Sequence, residues 1–143
     1  MFLTFLALTI GNPNDPKDNG YLELAEMFEL NLNSCELVVL SACVTNTGQY
    51  QYGEGTWSMG RGMLASGARR AVTTNWNVAD GSERDGWPSE LLMYSFIDEI
   101  KGGANPDFAT ALRQAKLGIR NNRDNPARRH PYFWAGYVLI GPN

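Results

Sequence analysis

The sequence predicts an α/β domain with a mostly parallel sheet and helices on both of its faces. Residues 37–43, Leu-Val-Val-Leu-Ser-Ala-Cys, form a short apolar run that is typical of a strand buried on both faces. Residues 56–66 suit a helix, and a second β-branched strand follows at 71–75, which indicates a parallel pair joined by a right-handed crossover. The length of 143 residues, 43 % of them apolar, fits one domain with its own core, so we assign residues 1–143 to a single domain.

Composition and charge argue against two classes of partner. The formal net charge is −3, whereas nucleic-acid-binding domains usually carry a basic excess, so we expect no direct nucleic-acid contact. No apolar segment is long enough to cross a bilayer, so we expect no membrane contact. The two cysteines, Cys35 and Cys43, would lie at opposite ends of the first of these strands, too far apart for a disulfide. Free thiols fit a reducing cytosol, which predicts a cytoplasmic location.

The first third of the chain predicts a strand, a loop and a short helix. Residues 2–10 are apolar and suit a strand, and a secretory signal is the less favoured alternative because no basic segment precedes them. Residues 21–30 suit a short helix in which Leu24, Met27 and Phe28 share one face. An apolar strand so early is unusual in a complete domain, and we therefore expect the sheet to lack its N-terminal strands.

The helix predicted over residues 56–66 carries small residues on the stripe that faces the sheet. Trp57, Gly60, Leu64 and Gly67 fall on this stripe, which would let the helix lie close to the strands. Gly67 also suits the C-terminal cap of the helix.

The second half of the chain predicts two helices and a last strand. Residues 88–100 place Leu92, Phe96 and Ile100 on one face of a helix. Asn105-Pro106 opens the next helix as its N-cap and first residue. Residues 134–140 form a last apolar strand. The second of the two helices has an apolar stripe that comprises Phe108, Leu112, Ala115 and Ile119.

Cys43 is the main candidate for chemistry. In open α/β sheets, ligands and catalytic groups collect beyond the carboxyl ends of the strands, which is where Cys43 lies. The functional interpretation is a nucleophilic thiolate, and the alternative is a buried small hydrophobe. Trp76 follows the neighbouring strand and would lie on the same edge, whereas Cys35 precedes its strand and is expected to be structural. Asp80 follows Trp76 and either reaches a substrate or caps a turn.

Other patterns carry weaker functional hypotheses. A cysteine nucleophile usually needs a histidine base, and His130 precedes the last strand, which in a parallel sheet is the wrong edge for Cys43, so we interpret it as a turn residue. Gly53 and Gly55 would open a helix, but no phosphate-loop motif surrounds them, so nucleotide binding is a weak hypothesis. No residue cluster has metal-ligand spacing, and no cofactor is expected. The arginine pairs at 69–70 and 128–129 are expected to be solvated surface.

Several short motifs follow one another in a fixed order along the chain. They are Leu-Val-Val-Leu-Ser-Ala-Cys at 37–43, Thr45, Gly48, Gly-Glu-Gly at 53–55, Ser-Gly-Ala-Arg at 66–69, Trp-Asn-Val at 76–78, Ala-Leu-Arg-Gln-Ala at 111–115 and the run from His130 to Gly141. This ordered series resembles the CHAT domain, a caspase-like cysteine peptidase family that is often found with TPR repeats in bacteria. The resemblance runs from about residue 20 to the end of the chain, and it implies a caspase-like three-layer fold with a mostly parallel sheet between helices.

The resemblance implies a thioester mechanism with Cys43 as the nucleophile. The thiolate would attack a peptide carbonyl, and the backbone N–H of Cys43 would help to hold the oxyanion. The family's catalytic histidine lies in a His-Gly pair after an earlier strand, which this sequence does not contain, and His130 matches a different motif. We therefore expect the histidine to come from outside the chain, so that the isolated chain is inactive as a peptidase. An inactive interaction module is the alternative.

The same resemblance implies the partners and the residues that would contact them. The partners would be a protein substrate and an upstream TPR or N-terminal catalytic segment. Trp76 and Asp80 would lie near the substrate pocket, because the loop after residues 76–78 borders that pocket in caspase-like folds.

Overall fold

A computed structural model of the chain describes residues 5–7, 14, 19–40, 45–46, 48–51, 55–78, 88–103 and 106–142. Cys43 and Asp80 lie outside the described residues, as does Gly53. The strands are β1 (Phe5–Ala7), β2 (Tyr21–Glu23), β3 (Val38–Val39), β4 (Gln49–Gln51), β5 (Gly55–Trp57), β6 (Ala71–Thr74) and β7 (Tyr137–Ile140). The α-helices are α1 (Leu24–Met27), α2 (Met59–Ala65), α3 (Pro88–Lys101) and α4 (Phe108–Arg120), and 3-10 helices span Pro126–Arg129 and Pro131–Phe133.

The central described sheet has the strand order β3-β6-β7. β3 and β6 are parallel, with Val38 opposite Ala71, which confirms the predicted strand–helix–strand unit as a parallel pair. β6 and β7 are antiparallel, with Thr74 opposite Tyr137. The prediction of a mostly parallel sheet is therefore not met by the described strands of this sheet, which make one parallel and one antiparallel pairing.

The direction of β7 follows from the two helices that precede it. A single crossover helix returns the chain to the edge where the previous strand began and gives a parallel strand. Here α3 and α4 are joined by a short connection and pack against each other as a helical hairpin. The second helix brings the chain back to the carboxyl edge of β6, so β7 starts at that edge and runs antiparallel.

Two antiparallel hairpins lie outside the central sheet, and the first of them corrects a sequence prediction. β1 pairs with β2, and β4 pairs with β5. Residues 21–23 are thus a strand rather than helix, and α1 begins after Glu23, whose backbone N–H donates to Glu26 Oε2 at 2.8 Å. Met27 is fully buried as predicted, but Phe28 is exposed.

Helix α2 is shorter than predicted because a strand and a cap precede it. Gly55 lies in β5 and does not open a helix, and the hydroxyl of Ser58 caps α2 by accepting from the N–H of Arg61. Gly60 lies close to the sheet as predicted, since an added Cβ would come within 2.6 Å of Thr73 Cγ2. Gly67 ends the helix with a positive φ of 104°, which confirms the predicted C-terminal cap.

Helices pack on both faces of the sheet, and successive residues of β3 mark the two sides. Val39 packs with α3 and α4, while Val38 and Leu40 pack with α1 and α2. The predicted stripe of α4 is confirmed, because all four of its residues are buried in the first of these cores. They are Phe108, Leu112, Ala115 and Ile119. The core residues Leu92 and Phe96 of α3 are fully buried beside them.

The start of α4 differs from the prediction by two residues. Asp107 is the N-cap, with one carboxylate oxygen 2.9 Å from the N–H of Thr110 and the other 2.7 Å from its hydroxyl. These hydrogen bonds lower the pKa of the Asp107 carboxyl. An aspartate with two partners in the first turn therefore decides the helix start over the Asn-Pro pair.

The adjacent arginines at 69 and 70 have different environments. Arg69 is exposed as predicted, but Arg70 is buried, which corrects the prediction for this residue. Its guanidinium lies 3.0 Å from a carboxylate oxygen of Glu36 and 5.0 Å from the ring centre of Phe108. Arg70 thus ties the start of β6 to the turn before β3 and to α4.

No described helix is long and apolar enough to cross a membrane.

Candidate active site at the carboxyl edge of the sheet

The described chain on either side of segment 41–44, which contains Cys43, is anchored to β6. Before the segment, the N–H of Leu40 donates to the carbonyl of Val72 at 2.9 Å. After it, the N–H of Asn46 donates to the carbonyl of Thr74 at 2.8 Å. The chain therefore leaves β3 and returns to the last residue of β6 within this short interval.

Thr45 makes the central contact of this anchor. Its hydroxyl accepts from the N–H of Thr74 at 2.9 Å and lies 3.4 Å from the carbonyl of Leu40, to which it can donate. Its own N–H lies 3.3 Å from the hydroxyl of Thr74. Both threonines are buried, so these groups have no water to replace a lost partner. One side chain thus connects both ends of the Cys43-bearing segment to the edge of the sheet.

A second layer of polar contacts continues from Thr45 towards the surface. The side-chain amide of Asn46 donates to Asn75 Oδ1 at 2.7 Å, and the hydroxyl of Ser58 lies 3.4 Å from Asn46 Oδ1. The carbonyl of Thr45 lies 3.4 Å from the N–H of Gly60 in α2. Residues 45–46 are therefore held by β6 on one side and by the first turn of α2 on the other.

Trp76 lies on this same edge, as predicted from its position after β6. Its indole Nε1–H donates to the carbonyl of Tyr132 at 3.0 Å, and its ring packs closely on Gly136, where an added Cβ would come within 2.8 Å. The side chain is half-buried. Trp76 thus connects the end of β6 with the segment that leads into β7, and part of its surface stays open.

His130 lies at the same edge of the sheet as Trp76, whereas the predicted topology had placed it at the opposite edge. Because β7 is antiparallel, its amino end and the preceding His130 are on the carboxyl edge of β6. The prediction that His130 lies at the amino edge of the strands was therefore wrong, although the prediction that it is a turn residue is confirmed. Nδ1 of His130 accepts from the N–H of Tyr132 at 3.2 Å and caps the 3-10 helix that follows. While Nδ1 accepts this hydrogen bond, its lone pair is not available to take a proton from a thiol.

Cys35 lies away from this edge. It is half-buried, takes part in no disulfide, and packs with the core formed by α1 and α2. Its Sγ lies 3.4 Å from the carbonyl of Leu37.

The predictions for Cys43 and Asp80 fall outside the described residues and stay predictions. Among the described residues, no group of histidine, cysteine, aspartate and glutamate could hold a metal ion. The residues that sequence reasoning missed are Thr74, Asn46 and Asn75. The signal available for them was the position of Thr45 two residues after Cys43 together with the threonine that ends β6.

Comparison with known proteins gives one family and one relative. The family model described as CHAT domain matches residues 3–142. The chain is also 28 % identical over 120 residues to "Tetratricopeptide repeat protein 28" of Mus musculus. That match covers 84 % of this chain and 4 % of the mouse protein, so the chain spans a small part of this relative. No solved structure matches the chain.

Proposed function

Because the chain belongs to the CHAT domain family, we propose that it is the cysteine-bearing portion of a caspase-like cysteine endopeptidase. The observation that carries the proposal is the anchor around segment 41–44. Leu40 and Thr45 flank that segment, and both are hydrogen-bonded to β6 at the carboxyl side of a parallel pair. Such an edge is where α/β sheets place reactive groups, and a nucleophile needs a fixed backbone around it.

The proposed reaction is acyl transfer to Cys43. Its thiolate attacks the carbonyl carbon of a peptide bond, and the new oxyanion is stabilised by the backbone N–H of Cys43. The carbon–nitrogen bond then breaks, the leaving amine takes a proton from the histidinium, and a thioester remains on Sγ. Water then gives a proton to the histidine and adds to the thioester, and the carbon–sulfur bond breaks. The carboxylic acid product loses its proton to the solvent, and the thiolate and histidinium are restored.

The histidine of this reaction is proposed to come from outside the chain. The sequence contains a single histidine, and the Nδ1 of that residue, His130, accepts a backbone hydrogen bond. A preceding catalytic segment or a second polypeptide would supply it. The name of the mouse relative refers to tetratricopeptide repeats, and we propose that this domain too is coupled to such repeats. A bacterial source and a cytoplasmic location stay predictions.

Substrate contacts are proposed for the open face of Trp76 and for Asp80. Trp76 supports this role because it is half-buried and fixed in orientation by Tyr132 and Gly136. A caspase-like three-layer arrangement agrees with helices that pack on both faces of the sheet.

Alkylation by a peptidyl chloromethyl ketone tests the nucleophile. The chain carries its own control, because Cys35 is a second free thiol on the same molecule. We expect imidazole added to the buffer to replace the missing base and to speed labelling of Cys43 more than that of Cys35. Cys43→Ala should abolish the imidazole-dependent labelling, whereas Cys35→Ala should retain it. The enzyme hypothesis would be wrong if Cys43 and Cys35 were labelled at equal rates both with imidazole and when a polypeptide segment with the histidine is supplied. The inactive interaction module would then be the favoured hypothesis.

A further inference from the structure

A groove between α4 and β7 combines an apolar floor with a basic rim. Its volume is about 290 Å³. The floor includes Leu112, Leu117, Trp134 and Leu139, and the rim is formed by cations of α4. Trp134 is fixed in place because its indole N–H donates to the carbonyl of Arg129 at 3.0 Å. The groove is therefore preformed, with a volume that suits one or two apolar side chains.

The rim carries positive charge without a negative partner in the described part of the protein. Arg113, Lys116 and Arg120 are spaced by three and four residues, which places them on one face of α4, where like charges repel. None of the three takes part in an ion pair among the described residues, where the recorded pairs join Glu36 to Arg69 and Arg70. Burial against the floor lowers the pKa of the Lys116 ammonium. Such a site gains most from a ligand that brings carboxylates.

The sequence around these three residues is also rich in basic residues. The chain as a whole has a net charge of −3 and 12 lysines and arginines. Half of these basic residues fall between positions 113 and 129, with Asp124 as the acidic residue of that stretch. They are Arg113, Lys116, Arg120, Arg123, Arg128 and Arg129. This concentration of one sign on an acidic protein favours a partner of opposite charge.

We propose that the groove binds an acidic segment of a partner protein. An apolar side chain of the segment inserts between α4 and β7, and flanking carboxylates pair with Arg113, Lys116 and Arg120. The apolar floor favours a peptide over a nucleic acid, because phosphates alone would leave that floor without a contact. The proposal does not depend on peptidase activity, since none of the lining residues belongs to the anchor around Cys43.

Fluorescence anisotropy with the whole chain tests the proposal. The probe is a labelled peptide, Glu-Glu-Leu-Leu-Glu-Glu, and the protein carries Cys43→Ala so that cleavage plays no part. We expect the double change Arg113→Glu and Arg120→Glu to raise the Kd by about tenfold or more, because two attractive contacts become repulsive. Lys116→Met, which keeps the apolar stem, should weaken binding by a smaller factor. The matched control is Lys101→Glu at the exposed end of α3, which does not line the groove and should leave the Kd unchanged.

The probe itself supplies the second comparison. Replacing its leucines by serines should weaken binding as clearly as the charge reversal does. The proposal is overturned if the wild-type rim does not bind the peptide, if serine and leucine peptides bind alike, or if oligouridylate of equal charge binds as tightly. Thermal unfolding of each variant shows that a loss of binding does not come from a loss of fold.

Discussion

At the scale of single residues, Thr45 has the most demanding role among the described positions. Its hydroxyl contacts the backbone N–H of Thr74 in β6 and the backbone carbonyl of Leu40, which precedes segment 41–44. A buried hydroxyl with two backbone partners is costly to remove, because both partners lose their hydrogen bond. Thr45 is a positioning residue in the proposed mechanism, since it acts on the reactive thiol through the backbone.

Thr45→Val tests this role with little change in side-chain shape. The free energy of unfolding should fall by about 1–3 kcal/mol, because valine removes the hydroxyl that accepts from the N–H of Thr74 and contacts the carbonyl of Leu40 in a buried site. The imidazole-dependent labelling of Cys43 should slow by a larger factor than that of Cys35. Thr45→Ser, which keeps the hydroxyl, is the control and should restore the labelling rate. A rate in the valine variant equal to that of the wild type would remove Thr45 from the mechanism.

Lys116 gives a prediction for the pH dependence of stability. Burial lowers its pKa below the ordinary value of 10.5, so the folded state releases this proton at a lower pH than the unfolded state. In the window between the folded pKa and 10.5 the unfolded chain binds more protons, and stability rises with pH there. Lys116→Met should therefore be more stable than the wild type at neutral pH, with a gain that shrinks as the pH approaches 10.5.

Urea unfolding at neutral and alkaline pH measures this difference. Lys101→Met removes an exposed lysine and is the matched control, for which we expect no gain. A gain for Lys116→Met that stays constant across the alkaline range would contradict the assignment.

At the scale of secondary-structure elements, the spacing between α2 and the sheet is set by one glycine. Gly60 faces Thr73 and Ile140, whose side-chain atoms lie within 2.6 and 2.7 Å of the position of an added Cβ. Gly118 in α4 is also helical but has nothing within 4 Å of that position. Close packing therefore requires glycine at position 60, whereas no neighbour requires it at position 118.

This contrast predicts opposite effects of the same substitution. Gly60→Ala should destabilise the protein by about 1–3 kcal/mol, because α2 must move away from β6. Gly118→Ala should stabilise it by about 0.5–1 kcal/mol, since alanine favours the helix and meets no neighbour. Denaturant unfolding of both variants provides the measurement. Equal effects in the two helices would show that close packing of α2 does not govern its glycine.

At the scale of the whole molecule, two apolar cores share the strands between them. The core with α3 and α4 and the core with α1 and α2 both include residues of β3, and Gly60 of α2 lies against Thr73 of β6. Neither core can lose the sheet without exposing the other. We therefore expect the described cores to unfold together.

Phe96→Ala tests this coupling from one side of the sheet. Phe96 of α3 is fully buried, and its replacement by alanine should lower the free energy of unfolding by about 3–5 kcal/mol. Tryptophan fluorescence and far-UV circular dichroism should report one shared unfolding midpoint for the wild type and one lower shared midpoint for the variant. Two separated midpoints in the variant would show that the cores are independent.

Most of the elements and the family could be predicted from the sequence, because they depend on local patterns. The apolar stripe of α4, the two parallel strands, the cap at Gly67 and the edge position of Trp76 follow from residue spacing and turn chemistry. The motif series around Cys43 likewise identified the family that matches residues 3–142. Element boundaries were less certain, since Ser58 and Asp107 compete with nearby caps and only their actual partners decide between them.

The tertiary structure decided what depends on contacts between residues distant in sequence. The antiparallel direction of β7 moved His130 to the edge with Trp76, and its Nδ1 was found to cap a 3-10 helix. The anchor of Thr45 on Thr74 joins positions separated by 29 residues. The groove between α4 and β7 likewise exists only when the helix lies against the strand. The sequence by itself determined the three longer helices, the strands of the central sheet and the family, since those depend on neighbouring residues. The two antiparallel hairpins and the edge that holds the site depend on how the chain returns to its earlier strands.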